Sequence, residues 1–211
     1  MKYVDLKDAL NECLETNFDA VNSNSPHIST LLQDQMQLGC FLCDCAYYFD
    51  MEGKHEQAMK YLKAGLLIQP NQFGLLANLG LQYWILGDKE RGLYYTNKSL
   101  EEKPNDTDTL SNKANLLIDM GRYTEALEIA DTLELLYPDD SGGYYCKGMV
   151  LVELALYDEA LKKLLKAMEL EPHNKKIPEF ISEIYYEYLE DEEQAIKYLE
   201  IAEKMEAELP F

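Results

Sequence analysis

Two stretches of the chain, YTEALEIADTLELLYPDD (123–140) and YDEALKKLLKAMELEPHN (157–174), repeat one alternation of apolar and polar positions 34 residues apart. In each, apolar residues recur at intervals of three and four, which places them on one face of a helix, and a proline ends the run. The prolines carry the pattern further: Pro70, Pro104, Pro138 and Pro172 follow one another every 34 residues. Cutting two residues after each proline gives units 39–72, 73–106, 107–140 and 141–174. A fifth unit, 175–209, holds one extra residue near its middle. A fixed period of this length marks a repeat architecture, in which no unit buries its apolar face alone.

Aligned in this frame, the columns have physical content. Position 8 is small throughout (Ala46, Gly80, Ala114, Gly148, Ser182), and so is position 20 (Ala58, Gly92, Ala126, Ala160, with Ala195 one place late). Two small columns twelve residues apart are what two antiparallel helices need in order to approach closely. Position 11 is large (Phe49, Tyr83, Leu117, Leu151, Tyr185), and position 4 reads Leu42, Leu76, Leu110 and Tyr144. Position 15 holds Gly53, Gly87 and Gly121, where a helix can end in a left-handed residue. Each unit is therefore expected to be helix, turn, helix, turn.

These columns resemble the tetratricopeptide repeat family over roughly 39–209, most visibly in LGLQY (79–83), GRYTEAL (121–127) and YDEAL (157–161). There are departures. Thr96 and Ser99 replace larger or more apolar residues, and Lys113 and Lys147 stand where leucine is usual. The fifth unit has Ser182 and Leu189 in place of glycine, and Pro178 in what would be a first helical turn, where proline is tolerated. The resemblance implies an all-α, right-handed α-solenoid of five helix-turn-helix repeats forming one domain with an amino-terminal cap. It also implies a concave face lined by the first helices, which serves as the ligand surface.

Carried onto this chain, that face includes Asp44, Tyr47, Asn78, Leu81, Asn112, Asn115, Asp119, Tyr145, Met149 and Glu153. The implied surface is apolar and aromatic in places, contains an asparagine row suited to holding a peptide backbone, and grows acidic toward the carboxyl end. The family's carboxylate clamp for chaperone tails needs lysine, asparagine and arginine at fixed first-helix positions. Units one to three offer Cys43, Tyr47, Asn78, Asp108 and Asn112 there, and units three to five offer Ser111, Asn115, Cys146, Lys176 and Phe180. With so few matches, a heat-shock co-chaperone of that type is not expected.

Residues 1–38 lie outside the frame. VDLKDALNECLE reads as a short amphipathic helix, NFDAVNSNSPHIS as loop, and Thr30 with Gln33 as a capping box that opens the helix leading into unit one. This segment is expected to cap the first repeat, with a regulatory flap or dimerisation arm as the alternative.

Composition then narrows the function. A chain that is 47% hydrophobic has ample material for a core, and the formal charge of -20 is its extreme feature. Such a surface repels nucleic-acid phosphate and anionic lipid headgroups, which leaves basic or amphipathic proteins as natural partners. No secretory leader and no membrane span is expected, so the chain reads as cytoplasmic. The five cysteines agree, since they are odd in number and three crowd into GCFLCDC. Cys40 and Cys43 would share a helix face while Cys45 points away into a core column, so buried thiols account for them better than a metal does; a metal would need Cys13, His27 or His55 brought in. No catalytic arrangement, phosphate loop or cofactor motif is found. The reading is a non-enzymatic adaptor that binds a protein or peptide. A dedicated small chaperone or immunity-type inhibitor for one client, and a self-assembling module, fit the same sequence.

Overall fold

The computed structural model describes residues 35–207, where ten helices are joined by short turns. They pair as α1 (Gln35–Met51) with α2 (His55–Ile68), α3 (Phe73–Ile85) with α4 (Lys89–Glu102), and α5 (Thr107–Asp119) with α6 (Tyr123–Leu136). Next come α7 (Ser141–Glu153) with α8 (Tyr157–Leu170), and α9 (Lys176–Glu187) with α10 (Glu192–Ala207). The helix expected at 4–15, the loop after it and the Thr30–Gln33 capping box lie outside the described residues. The helices fall into two compact units, one ending at Thr109 and the other beginning at Leu110, within α5.

The phased prolines end the second helices by a local rule. A residue before proline is pushed out of helical geometry, and Gln69, Lys103, Tyr137 and Glu171 all stand at φ between -127° and -135° with positive ψ. Each still donates its backbone N–H to the carbonyl four residues back, which satisfies one of the last helical acceptors. First helices end differently, on a left-handed residue: Gly53, Gly87 and Gly121 have φ of +69°, +87° and +71°. The fifth turn carries the extra residue here, because its left-handed position falls on Glu190 (φ +53°) rather than Leu189. Pro178 lies in the first turn of α9 and is buried.

Close approach within pairs follows from the small columns. Ala46, Ala58, Gly80, Gly92, Ala114, Ala126, Gly148, Ala160 and Ala195 are all buried. A Cβ added at Gly80 would lie 2.6 Å from Thr96 Oγ1 and 3.0 Å from the Gly92 carbonyl oxygen. The departures in this pair are therefore fitted to it. Buried Thr96 donates its hydroxyl to Gly92 O (2.9 Å), and buried Ser99 donates to Phe73 O (2.8 Å).

In the first unit the core gathers Ala46, Ala58, Leu62, Leu75, Leu79 and Tyr83. In the second, Leu161, Leu164 and Ala167 pack with Ile177, Ile181 and Ile184, while Ala114, Ala130 and Cys146 form a separate cluster. Three pairs stack a ring of the large column on a ring of their second helix: Phe49 on Tyr61, Tyr83 on Tyr95, and Tyr185 on Tyr198. The two lysines in a leucine column are treated unequally. Lys147 forms ion pairs with Asp131 and, at 3.9 Å, Glu134, and the Asp131 carboxylate holds its ammonium pKa up. At Lys113, burial pushes the pKa down.

Candidate functional site

The first unit presents α1 and α3. Tyr47 is 64% exposed, Asp44 is exposed, and Asn78 and Leu81 are half-buried. Tyr47, Asn78 and Leu81 meet in one small cleft together with Asp50 and Gln82, whereas Asp44 does not line it. Asn78 is already engaged, since its amide nitrogen lies 3.8 Å from the Cys43 sulfur.

Beneath this cleft is a polar cluster that sequence reasoning missed. Gln82, only 2% exposed, donates its amide to Asp50 Oδ1 (2.7 Å). His55 Nδ1 lies 3.1 Å from both Asp50 Oδ1 and Gln82 Oε1, which are acceptors, so the geometry assigns the proton to Nδ1. Three successive helices are tied together at one point. The available signal was Gln82 itself, a polar residue in a column that reads Leu116, Val150 and Ile184 in later units.

A larger cleft of about 750 Å³ lies on the second-helix side of this unit, lined by Glu56, Met59, Lys63, Tyr83, Glu90 and Arg91. Its charges are mixed. Arg91 is paired with Asp88 and stacks over Tyr83 at 4.5 Å, and Lys63 approaches the same ring at 5.3 Å.

The second unit presents α5, α7 and α9. Asn112 is half-buried. Asn115 accepts a bond from the Cys146 thiol (3.4 Å), which burial pushes up to about 12, so the sulfur stays protonated and inert. The asparagine row expected to hold a peptide backbone is thus partly occupied, with Asn78 and Asn115 each bound to a thiol. Tyr145 is half-buried against Phe180, the ring centroids 6.0 Å apart, and burial raises its phenol pKa. Met149 is half-buried as well. Asp119 and Glu153 are exposed, and Glu153 accepts from the Tyr123 hydroxyl at 2.8 Å.

These carboxylates have an unusual position. Asp119, Glu153 and Glu187 are the last residues of α5, α7 and α9, and none of those last turns contains a basic residue. A helix carries partial negative charge at that end, so each carboxylate adds to it rather than compensating it.

The cysteine expectation needs correction. Cys40 is exposed, and Cys43 and Cys45 are only half-buried. The column of Cys45 packs against the preceding helix pair, as Leu79 and Ile181 show by their burial, and α1 has no described pair before it. Partial burial still raises the pKa of Cys43 and Cys45. Among the described residues no three His, Cys, Asp or Glu side chains gather as a metal would require, and Cys13 and His27 lie outside them. No described helix is long and apolar enough to cross a membrane.

No family model matches the chain. It is 27% identical over 124 residues to an Hsp70-Hsp90 organising protein of Plasmodium falciparum, covering 59% of this chain and 49% of that one. A second such protein, from Plasmodium falciparum isolate 3D7, matches at the same identity over 22% of its length. The chain thus spans about half, or less, of these relatives. Among solved structures it is similar to MamA from Desulfovibrio magneticus RS-1, with a TM-score of 0.61 and 20% identity over 82% of this chain and 98% of that one. A further MamA crystal structure gives 0.58 and 18%, covering 77% and 94%. At these identities the structural likeness speaks for the fold.

Proposed function

We propose that the chain is a tetratricopeptide-repeat protein, a protein-interaction module whose first-helix faces hold a basic or amphipathic protein segment. One observation carries this reading: Asp119, Glu153 and Glu187 sit where the helix dipole makes a carboxylate unfavourable. Their charges and the dipoles add, and a cation at these helix ends would be attracted by both. Half-buried Met149 and Tyr145 lie on the same helix as Glu153 and supply apolar anchors for the ligand. In the first unit the corresponding helix ends are Met51 and Ile85, both exposed, with Tyr47 and Leu81 beside them, so that unit offers a mainly apolar contact. Apolar anchors set affinity, and carboxylates steer and orient.

Chaperone tails are not the ligand we propose, although the relatives' name refers to Hsp70 and Hsp90. Of the clamp positions only Asn78 in units one to three, and Asn115 and Lys176 in units three to five, hold the residue the clamp needs, and an acidic tail would meet carboxylates. We read the chain as a binding module rather than an enzyme. Its four described cysteines, Cys40, Cys43, Cys45 and Cys146, are free, which supports a reducing compartment such as the cytoplasm.

The test starts from the partner recovered from native lysate and measures its association and dissociation. Asp119→Lys with Glu153→Lys is expected to slow association and flatten its salt dependence. Tyr47→Ala with Met149→Ala is expected to speed dissociation. Tyr47 is used because Tyr145 packs on Phe180, so that its loss would confuse binding with folding. Wild-type kinetics in both double variants would refute the first-helix faces as the site.

A further inference from the structure

The last helix pair bears a groove of about 490 Å³ whose rim continues the first-helix face onto α9 and whose floor extends onto the second helix, α10. Its floor is Tyr186 of α9 with Ile196 and Leu199 of α10, and its rim is Glu179, Glu183 and Glu187. One pair earlier, with the extra residue of the fifth turn allowed for, the floor positions are Val152, Leu161 and Leu164. Those three share a core cluster with Ile177, Ile181 and Ile184. The groove of the fourth pair is therefore filled by a helix presenting isoleucines at i, i+4 and i+7.

Among the described residues no helix covers the fifth pair in this way. Tyr186, Ile196 and Leu199 are 59%, 57% and 46% exposed, against 6%, 7% and 0% for Val152, Leu161 and Leu164. The rim differs too. Where the fourth pair has Tyr145, Met149 and Glu153, the fifth has three glutamates, within a segment (175–211) of four basic and eleven acidic residues.

We propose that this groove docks an amphipathic helix of a different protein, with apolar residues at i, i+4 and i+7 and lysine or arginine along the edge that meets the glutamates. The fourth pair supplies the template for the apolar face, and the rim supplies the charge. Other occupants bring the wrong sign. Residues 1–38 hold two basic and six acidic residues, and a second copy of the chain carries -20, so both would set carboxylates against carboxylates. The proposal rests on the reading above through Glu187 and the α9 face, and the α10 floor with a defined peptide lets it fail separately.

The probe is a fluorescent peptide with the sequence of α9, KIPEFISEIYYE, carrying Glu179→Lys, Glu183→Lys and Glu187→Lys, titrated into the full chain and followed by anisotropy. Saturable binding is expected, weakening as salt rises, and the unmodified acidic peptide should bind less tightly. Ile196→Glu with Leu199→Glu should weaken binding roughly tenfold or more, since two apolar contacts are lost. Glu183→Lys with Glu187→Lys, both at exposed positions, should weaken the cationic peptide and strengthen the acidic one even if the floor variant fails to fold. No saturable binding, equal binding by a scrambled cationic peptide, or indifference to the charge-reversed rim would overturn the proposal. So would a dimeric wild-type chain that Ile196→Glu with Leu199→Glu turns into monomers, which would assign the groove to a second copy.

Discussion

At the scale of the residue, the most instructive position is Ala155. It stands where the earlier units have glycine and adopts the same left-handed conformation, at φ +58°. Its bonds are those of the glycine turns: Ala155 N–H donates to Val152 O at 2.9 Å, as Gly87 N–H does to Trp84 O at 2.9 Å. An L-residue held there costs about 1–2 kcal/mol, whereas glycine's extra unfolded-state entropy costs about 0.5–1 kcal/mol. Ala155→Gly is therefore expected to stabilise the protein by about 0.5–1 kcal/mol, read as a higher denaturant midpoint. A midpoint that stays put or falls would count against a strained turn. The turn at Ala155 could be anticipated from register alone, because Gly53, Gly87 and Gly121 share its phase. The Asp50–His55–Gln82 cluster could not. Its members come from three helices, Gln82 lies 32 residues from Asp50, and no period connects side chains that meet only in three dimensions.

At the scale of the element, the helix pair is held by what is missing from it. Ala126 is fully buried at the start of α6, in the column where Gly92 leaves room for the Gly80 carbonyl only 3.1 Å from where a Cβ would be. Ala126→Leu should overpack this contact and cost about 1–3 kcal/mol, since a close-packed interface has no slack for three more carbons. The same change at exposed Glu128 is the control, and a variant at position 126 as stable as that control would put the register of the pair in doubt. This level was the most legible one, because proline, glycine and small residues act through the local backbone and keep their phase. Legibility failed where a helix lacks a neighbour. Cys45 shares a column with buried Leu79 and Ile181, and Leu199 one with buried Leu164, yet Cys45 is only half-buried and Leu199 exposed, because burial belongs to the stacked pair and not to the residue. The acidic helix ends of the candidate site were visible as residues. Their position on the dipole needed the helix boundaries, which the sequence places only to within a residue or two.

At the scale of the whole molecule, charge decides. The chain has 39 acidic against 19 basic residues, and several of the basic ones are already paired along their own helices, as in Lys98–Glu101 at 2.7 Å, Arg122–Glu125 at 2.7 Å and Lys166–Glu169 at 3.1 Å. Such exposed pairs contribute about 0–1 kcal/mol each. The carboxylates in excess have no such partners in number and repel one another over the whole surface. Salt weakens both effects, and their sum fixes the sign. Raising ionic strength from ~0.01 M to ~0.1 M shortens the screening length from about 30 Å to about 10 Å. Pairs in contact at under 4 Å are screened little by this, while repulsion between distant carboxylates is largely removed. The melting midpoint is therefore expected to rise over this range, as followed by circular dichroism in sodium chloride. A falling midpoint would mean that ion pairs outweigh repulsion and would leave the cationic partner resting on the helix-end carboxylates alone. If the midpoint rises, that partner should do what salt does, locally and more strongly. It should raise the midpoint most at ~0.01 M, where the repulsion it relieves is least screened.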